Sequence, residues 1–179
     1  MRIIKYLFLL FLLSLVALSI FIATQKGEFT VERSKIINSQ KSTAFSYVND
    51  LKNWKNWNSL AADDSMMNIS YSNNTIGKGG FCTWNGKEGS GELKTIQIKE
   101  NESILQSMDF NGNSAEIALR FKDTLGKTKI TWIAKGRMSF LYKVRTIFDG
   151  GANRIFGTIF EKSLVNLDKK LDYEINTYN

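Results

Sequence analysis

The chain of 179 residues, 43% hydrophobic and 23% charged, has a folding composition and the length of one domain of about 150 residues plus an appendage. It contains no histidine and no proline, which excludes Ser-His-Asp and Cys-His catalysis and histidine-bound metals. Its one cysteine, Cys82, cannot close an intramolecular disulfide. Net charge is +7, but Arg2, Lys5 and Lys26 precede the first acidic residue, so the remainder carries 21 basic and 17 acidic residues; no basic run with interleaved aromatics argues for nucleic acid.

Ile3 to Ala23 is apolar apart from Lys5, and as a helix at about 1.5 Å per residue it reaches across a bilayer. It reads as an uncleaved membrane anchor over residues 1–27; a secretory signal peptide is the alternative, although its small pair Ala17 and Ser19 lies inside the apolar run. Arg2 and Lys5 ahead of the segment place the N-terminus on the cytoplasmic side and export the rest, to a periplasmic or extracellular location, or into secretion if the segment is cleaved.

The folded domain spans residues 28–179. Phe29 to Ile37 is rich in β-branched and aromatic residues and predicts a strand. Ser39 or Ser42 then caps a helix carrying Ala44, Phe45, Tyr47, Val48 and Leu51. Trp54 and Trp57, three apart, share one face of a short helix, either closing an end of the core or forming the rim of a cavity. Asp63-Asp64 lacks a third carboxylate at ligand spacing and reads as a solvated turn rather than a metal site.

From Met66 to Met138 short strands follow one another. Asn73-Asn74, Gly77 to Gly80, the glycines 86, 89 and 91, Glu100 to Glu102 and Asn111 to Asn113 punctuate them as turns. Ala115, Ile117, Leu119 and Phe121 alternate with polar residues, as do Ile130, Trp132, Ala134 and Met138, so an antiparallel sheet is covered on one face only. Ser139 to Asp149, with Phe140, Leu141, Val144, Ile147 and Phe148, predicts a helical or irregular lead into the last element, with Asp149 placed to help its first turn. That element starts at Ala152, after Gly150-Gly151. Phe156, Phe160, Leu164, Leu167, Leu171 and Ile175 recur at helical steps and make one apolar stripe, which the sheet must bury.

This order of elements, with Phe29-x-Val-x-Arg-Ser34, Phe45-x-Tyr-Val-x-Asp-Leu51, Trp54-x-x-Trp57, Gly77-x-Gly-Gly80, Trp84-x-Gly86, Thr131-Trp132, Gly136-x-Met138 and Phe160-Glu-x-x-Leu-x-x-Leu167, resembles the polyketide cyclase-like proteins of the START-like, or SRPBCC, superfamily. The resemblance covers residues 28–179. It implies an α+β helix-grip fold, a curved antiparallel sheet of about six to seven strands wrapped around a long C-terminal helix. It also implies a mostly apolar cavity between the two.

On this reading Trp54, Trp57, Trp84, Phe110, Phe121, Trp132, Met138, Phe156 and Phe160 line a site for a hydrophobic small molecule or lipid, with Asp64, Arg33 and Tyr71 as the nearest polar groups. No metal, cofactor or catalytic residue is assigned. The same large side chains would equally fill a solid core, which leaves an interaction domain open. A cyclase or hydrolase also stays open, though without histidine its acid-base work falls to carboxylate, lysine or tyrosine. Cys82, in an apolar strand, reads as a structural thiol rather than a nucleophile. The oligomeric state is not legible.

Overall fold

The computed structural model describes residues 2–24, 27–140, 142–144 and 149–177. Helix α1, Arg2–Thr24, precedes β1 (Glu28–Ile37), α2 (Lys41–Asn49), a 3-10 turn at Leu51–Asn53, and the short helices α3 (Trp54–Trp57) and α4 (Ser59–Ala62). Six further strands run β2 (Asn68–Tyr71), β3 (Phe81–Gly86), β4 (Gly89–Lys99), β5 (Ser103–Phe110), β6 (Asn113–Thr124) and β7 (Lys127–Arg137), and α5 (Ala152–Thr177) closes the chain.

With no glycine or proline to interrupt it, α1 runs about 35 Å at 1.5 Å per residue, enough to cross a bilayer. A signal sequence has the same length and composition. Apart from Ile22, the side chains of α1 are exposed.

Among the described residues the seven strands form one antiparallel sheet in the order β1-β7-β6-β5-β4-β3-β2. Strands β2 to β7 are a meander of hairpins. The chain enters at one edge in β1, crosses to the other edge through α2, α3 and α4, and works back until β7 pairs with β1. The period-two pattern decides which face is buried: Ala115, Ile117, Leu119 and Phe121 of β6 are buried while Glu116, Arg120 and Lys122 are exposed. In β4 a bulge at Ile96 breaks that parity, so Leu93 and Thr95 face inward before it and Ile98 after it.

Neither serine expected to cap α2 does so. Gln40 occupies the N-cap without a side-chain bond, and Ser39 is spent on the sheet, its carbonyl accepting from the buried Thr128 hydroxyl at 2.7 Å. At α5 the first helical N–H groups, of Arg154 and Ile155, donate to the Gly151 carbonyl, so the cap falls to Gly151, with Asp149 two residues upstream. Of the apolar lead expected before α5, Leu141, Ile147 and Phe148 lie outside the described residues. So does the Ile175 side chain.

The stripe of α5 is buried as the spacing requires: Phe156, Phe160, Leu164, Leu167 and Leu171 all belong to the core, together with Val31, Ile117, Leu119, Ile130 and Trp132 of the sheet. The helix runs alongside β1 and polar clasps hold it there. The Arg33 guanidinium reaches over α5 to Glu161 and to Asn153, whose Oδ1 accepts at 3.0 Å. It lies where a Cβ at Gly157 would stand, 2.0 Å from its Nη2. Further along, Asp168 accepts from the Asn38 backbone N–H at 2.9 Å and pairs with Lys35 at 3.2 Å, while Asp172 accepts from the Asn38 side chain. A buried hydroxyl joins α4 to α5: Ser163 Oγ accepts from the Ser59 N–H at 2.8 Å and donates to the Ile159 carbonyl.

Leu167 is 0% exposed and packs on the sheet, whereas Val165 on the opposite side of α5 is 39% exposed. Urea denaturation of the full chain in detergent is expected to show Leu167→Ala losing about 2–5 kcal/mol and Val165→Ala changing stability by less than about 0.5 kcal/mol.

Candidate functional site

Between the sheet and α5 lies a small, largely enclosed cavity of about 40 Å³. Its walls are Trp54, Trp57 and Leu60 from the short helices, Leu93, Met108, Phe110, Ile117, Leu119 and Trp132 from the sheet, and Phe156, Ile159 and Phe160 from α5. Val48 and Leu51 close the side toward α2, and Asn58 and Gln106 are the polar members of the wall. A void of that size holds one or two water-sized groups and is far below the roughly 300 Å³ of an ordinary ligand pocket.

The aromatic side chains around it pack as two groups, Trp57 with Trp132 and Phe160, and Trp54 with Trp84 and Phe110. Trp132 stacks on Phe160 with centroids 4.2 Å apart and planes 6° from parallel, and Trp57 meets the edge of Trp132 at 5.2 Å. Trp54 and Trp84 stand 5.0 Å apart, with Phe110 6.2 Å beyond Trp84. Gly91 makes that arrangement fit, because a Cβ there would lie 2.3 Å from the Trp84 ring and 2.5 Å from the Asp109 carbonyl.

The structure therefore brings Trp54, Trp57, Phe110, Trp132, Phe156 and Phe160 together on the cavity wall. Trp84, Phe121 and Met138 do not line it. Trp84 is behind Trp54, Phe121 packs edge-on against Phe45 of α2 at 5.4 Å, and Met138 lies past the end of β7, partly buried against the core. All three face inward as alternation requires, but the sheet is longer than the cavity, and facing inward does not place a side chain at its middle. Gln106 was not anticipated. The run Ile104, Gln106, Met108, Phe110 carries the signal, a polar residue on an otherwise apolar strand face, and its amide nitrogen donates to Thr95 Oγ1 at 3.3 Å.

Three buried indole N–H groups, those of Trp57, Trp84 and Trp132, have no hydrogen-bond acceptor among the described residues. An unpaired buried donor costs on the order of 1–3 kcal/mol. Two of the three belong to side chains of the cavity wall.

The polar residues named from sequence are employed elsewhere. Arg33 clasps α5. Asp64 holds the β3-β4 turn, its carboxylate accepting from the Lys87 N–H at 2.7 Å and from the Met66 N–H at 3.1 Å, and Asp63 pairs with Lys162 at 2.5 Å. Tyr71 sits on β2 opposite Cys82, its hydroxyl buried and without a partner among the described residues; burial first, then electrostatic interaction with Cys82 and Asp50, raises its pKa. A larger depression of about 740 Å³ on the outer face of the sheet, lined by Glu92, Asp109, Glu116 and Lys135, is open to solvent and cannot sequester an apolar molecule.

With these features in view, comparison with known proteins gives the fold alone. No family model matches the chain, and no curated protein does. Among solved structures the chain is similar to an uncharacterized protein from Rhizobium leguminosarum, at 13% identity and a TM-score of 0.62, covering 83% of this chain and 97% of that one. It is also similar to CV1439 from Chromobacterium violaceum, at 9% identity and a TM-score of 0.58, covering 78% and 95%. The likeness to DynU16, a protein of the dynemicin biosynthetic locus, has 11% identity and a TM-score of 0.53 and covers 80% of this chain but 47% of that one. The shared feature is the α+β arrangement of a curved antiparallel sheet and a terminal helix.

Burial pushes the Cys82 thiol up to about 12 from an ordinary 9.0, so at pH 8 only about one molecule in ten thousand carries the thiolate. Iodoacetamide at that pH is expected to leave the native chain unlabelled and to modify Cys82 in urea. The unfolded chain loses this proton near pH 9 and the folded one near 12. Stability from this group is therefore complete below about pH 9 and falls as pH rises toward 12, which denaturant midpoints across that range measure.

Proposed function

We propose that residues 28–179 are a START-like domain of the SRPBCC superfamily that binds a small apolar molecule carrying at least one hydrogen-bond acceptor, held at a membrane by α1. The observation that carries the reading is the apolar cavity walled in part by Trp57 and Trp132, two residues whose buried indole N–H groups have no acceptor among the described residues. An acceptor on the occupant would satisfy a donor that now stands unpaired, and apolar burial at about 25 cal/mol per Å² would supply most of the affinity. The likeness to DynU16 supports the superfamily reading.

The volume bears on the class of ligand. A cavity of about 40 Å³ cannot take a two-chain lipid without repacking. The ligand is therefore compact, and its entry displaces wall side chains, Met108 being the unbranched and most adaptable of them. The reading is of binding rather than turnover, because the described residues of the wall include no carboxylate, lysine or tyrosine, and its polar members, Asn58 and Gln106, have no acid-base range near neutral pH. The small volume favours one competing reading, a domain with a filled core that works through its surface.

Native mass spectrometry of the full chain, released gently from its own membrane, distinguishes the two. A co-purifying small-molecule mass supports the binding reading. Ile117→Phe, which fills the void from the sheet side, is expected to abolish that adduct while far-UV circular dichroism stays unchanged. A clean apo mass that persists after incubation with a membrane extract would sink the ligand proposal. All four tryptophans are buried at or next to the cavity, so ligand addition is also expected to shift intrinsic fluorescence, and the Ile117→Phe chain should lose that response.

A further inference from the structure

We infer that the described residues of segment 138–144 make a second membrane contact, Phe140 foremost, in the head-group layer of the same bilayer that α1 crosses; the inference rests on reading α1 as an uncleaved anchor. Connectivity sets the distance. Three peptide steps separate Thr24, the last residue of α1, from Gly27, so Gly27 lies within about 11 Å of the helix end however the link is arranged. The Gly27 carbonyl in turn accepts from the Met138 N–H at 2.8 Å, and the next residue is fixed as well, the Ser139 N–H donating to the buried Asn113 at 2.8 Å. The start of this segment is therefore hydrogen-bonded to a residue that cannot leave the membrane surface.

Its composition suits that layer. Phe140 is 44% exposed, Lys143 and Val144 follow at intermediate exposure, and Arg137, paired with Glu28 at 3.0 Å on the surface, ends β7 just before it, while Tyr142 turns its ring onto Phe156 of the core. Aromatic rings with an apolar body and cationic side chains with long apolar stems are the groups that partition to the head-group region, the cations toward anionic lipid. The Lys143 Nζ also reaches the Ala23 carbonyl at the end of α1, 3.5 Å away, which brings the segment back to the anchor itself. The other end of the sheet differs: Leu125, in the β6-β7 turn, is separated from Arg137 by the whole of β7, about 35 Å at 3.3 Å per residue.

Site-specific fluorescence on the full chain tests this directly, because the buried Cys82 leaves an introduced cysteine as the reactive thiol. Phe140→Cys and, in parallel, Leu125→Cys are labelled with an environment-sensitive maleimide fluorophore. Each chain is then reconstituted through α1 into vesicles of phosphatidylcholine and phosphatidylglycerol, with and without lipid spin-labelled at the head group. Flotation of the vesicles reads the anchor separately. The inference predicts that the chain floats, that emission from position 140 is blue-shifted and at least twofold quenched by the spin-labelled lipid, and that position 125 reports water. A chain that floats with position 140 in water overturns the membrane contact and leaves the anchor standing. A chain that does not float overturns the anchor reading and the contact with it.

Discussion

The domain depends on one burial problem. The stripe of α5, from Phe156 to Leu171, is too wide and too apolar to face water, and in the described structure the concave face of the sheet covers it. Everything else serves that contact. Hairpins of alternating residues build the apolar face, the bulge at Ile96 adjusts it where the sheet curves, and α2, α3 and α4 close the end that the strands leave open. An antiparallel meander with one wet side tolerates this solution because its outer face carries Glu, Lys, Arg and Ser without cost.

The fold was legible where periodicity is strong. Phe121 and Ile130 on neighbouring strands, and Leu164 and Leu167 on α5, each sit where their spacing puts them, and Asn73-Asn74 and Gly77 to Gly80 fall between strands as expected, whereas Gly86, Gly89 and Gly91 lie within strands, Gly91 giving up its side chain to make room for Trp84. Local chemistry was less legible. A serine before α2 resembles a cap, yet Ser39 is held by a threonine 89 residues away in sequence, a partner that no local pattern reveals. Ser163 is an ordinary polar residue in sequence and a buried tie between two helices in space. The site was legible only in part, for a related reason. Alternation sorts inward from outward positions, but how far along the groove a residue stands depends on curvature, and so Phe121 and Met138 were grouped with residues at the cavity although α2 and the end of β7 claim them.

The aromatic content of the core explains both the small void and the unpaired donors. Trp and Phe fill space in large planar units that stack well in pairs, as Trp132 does on Phe160, but are too rigid to close every remaining gap. Each indole also carries a single N–H fixed in its ring plane, so a tryptophan oriented for stacking cannot turn to seek an acceptor. Had the same volume been filled by Leu and Ile, neither the gap nor the orphan donors would arise.

The pairing of Arg33 with Gly157 bears on a different question, which is how α5 knows where to stop. An apolar stripe is nearly self-similar under a slide of one helical turn, about 5.4 Å, since Phe156, Phe160 and Leu164 would each step into the place of a neighbour with modest repacking. Hydrophobic burial alone therefore gives a greased rail without a detent. The notch at Gly157 accepts a guanidinium at one position only, and Asn38 engages Asp168 and Asp172 at the same setting, so these exposed polar contacts, weak in stability, act as the key that selects one register from several of similar burial.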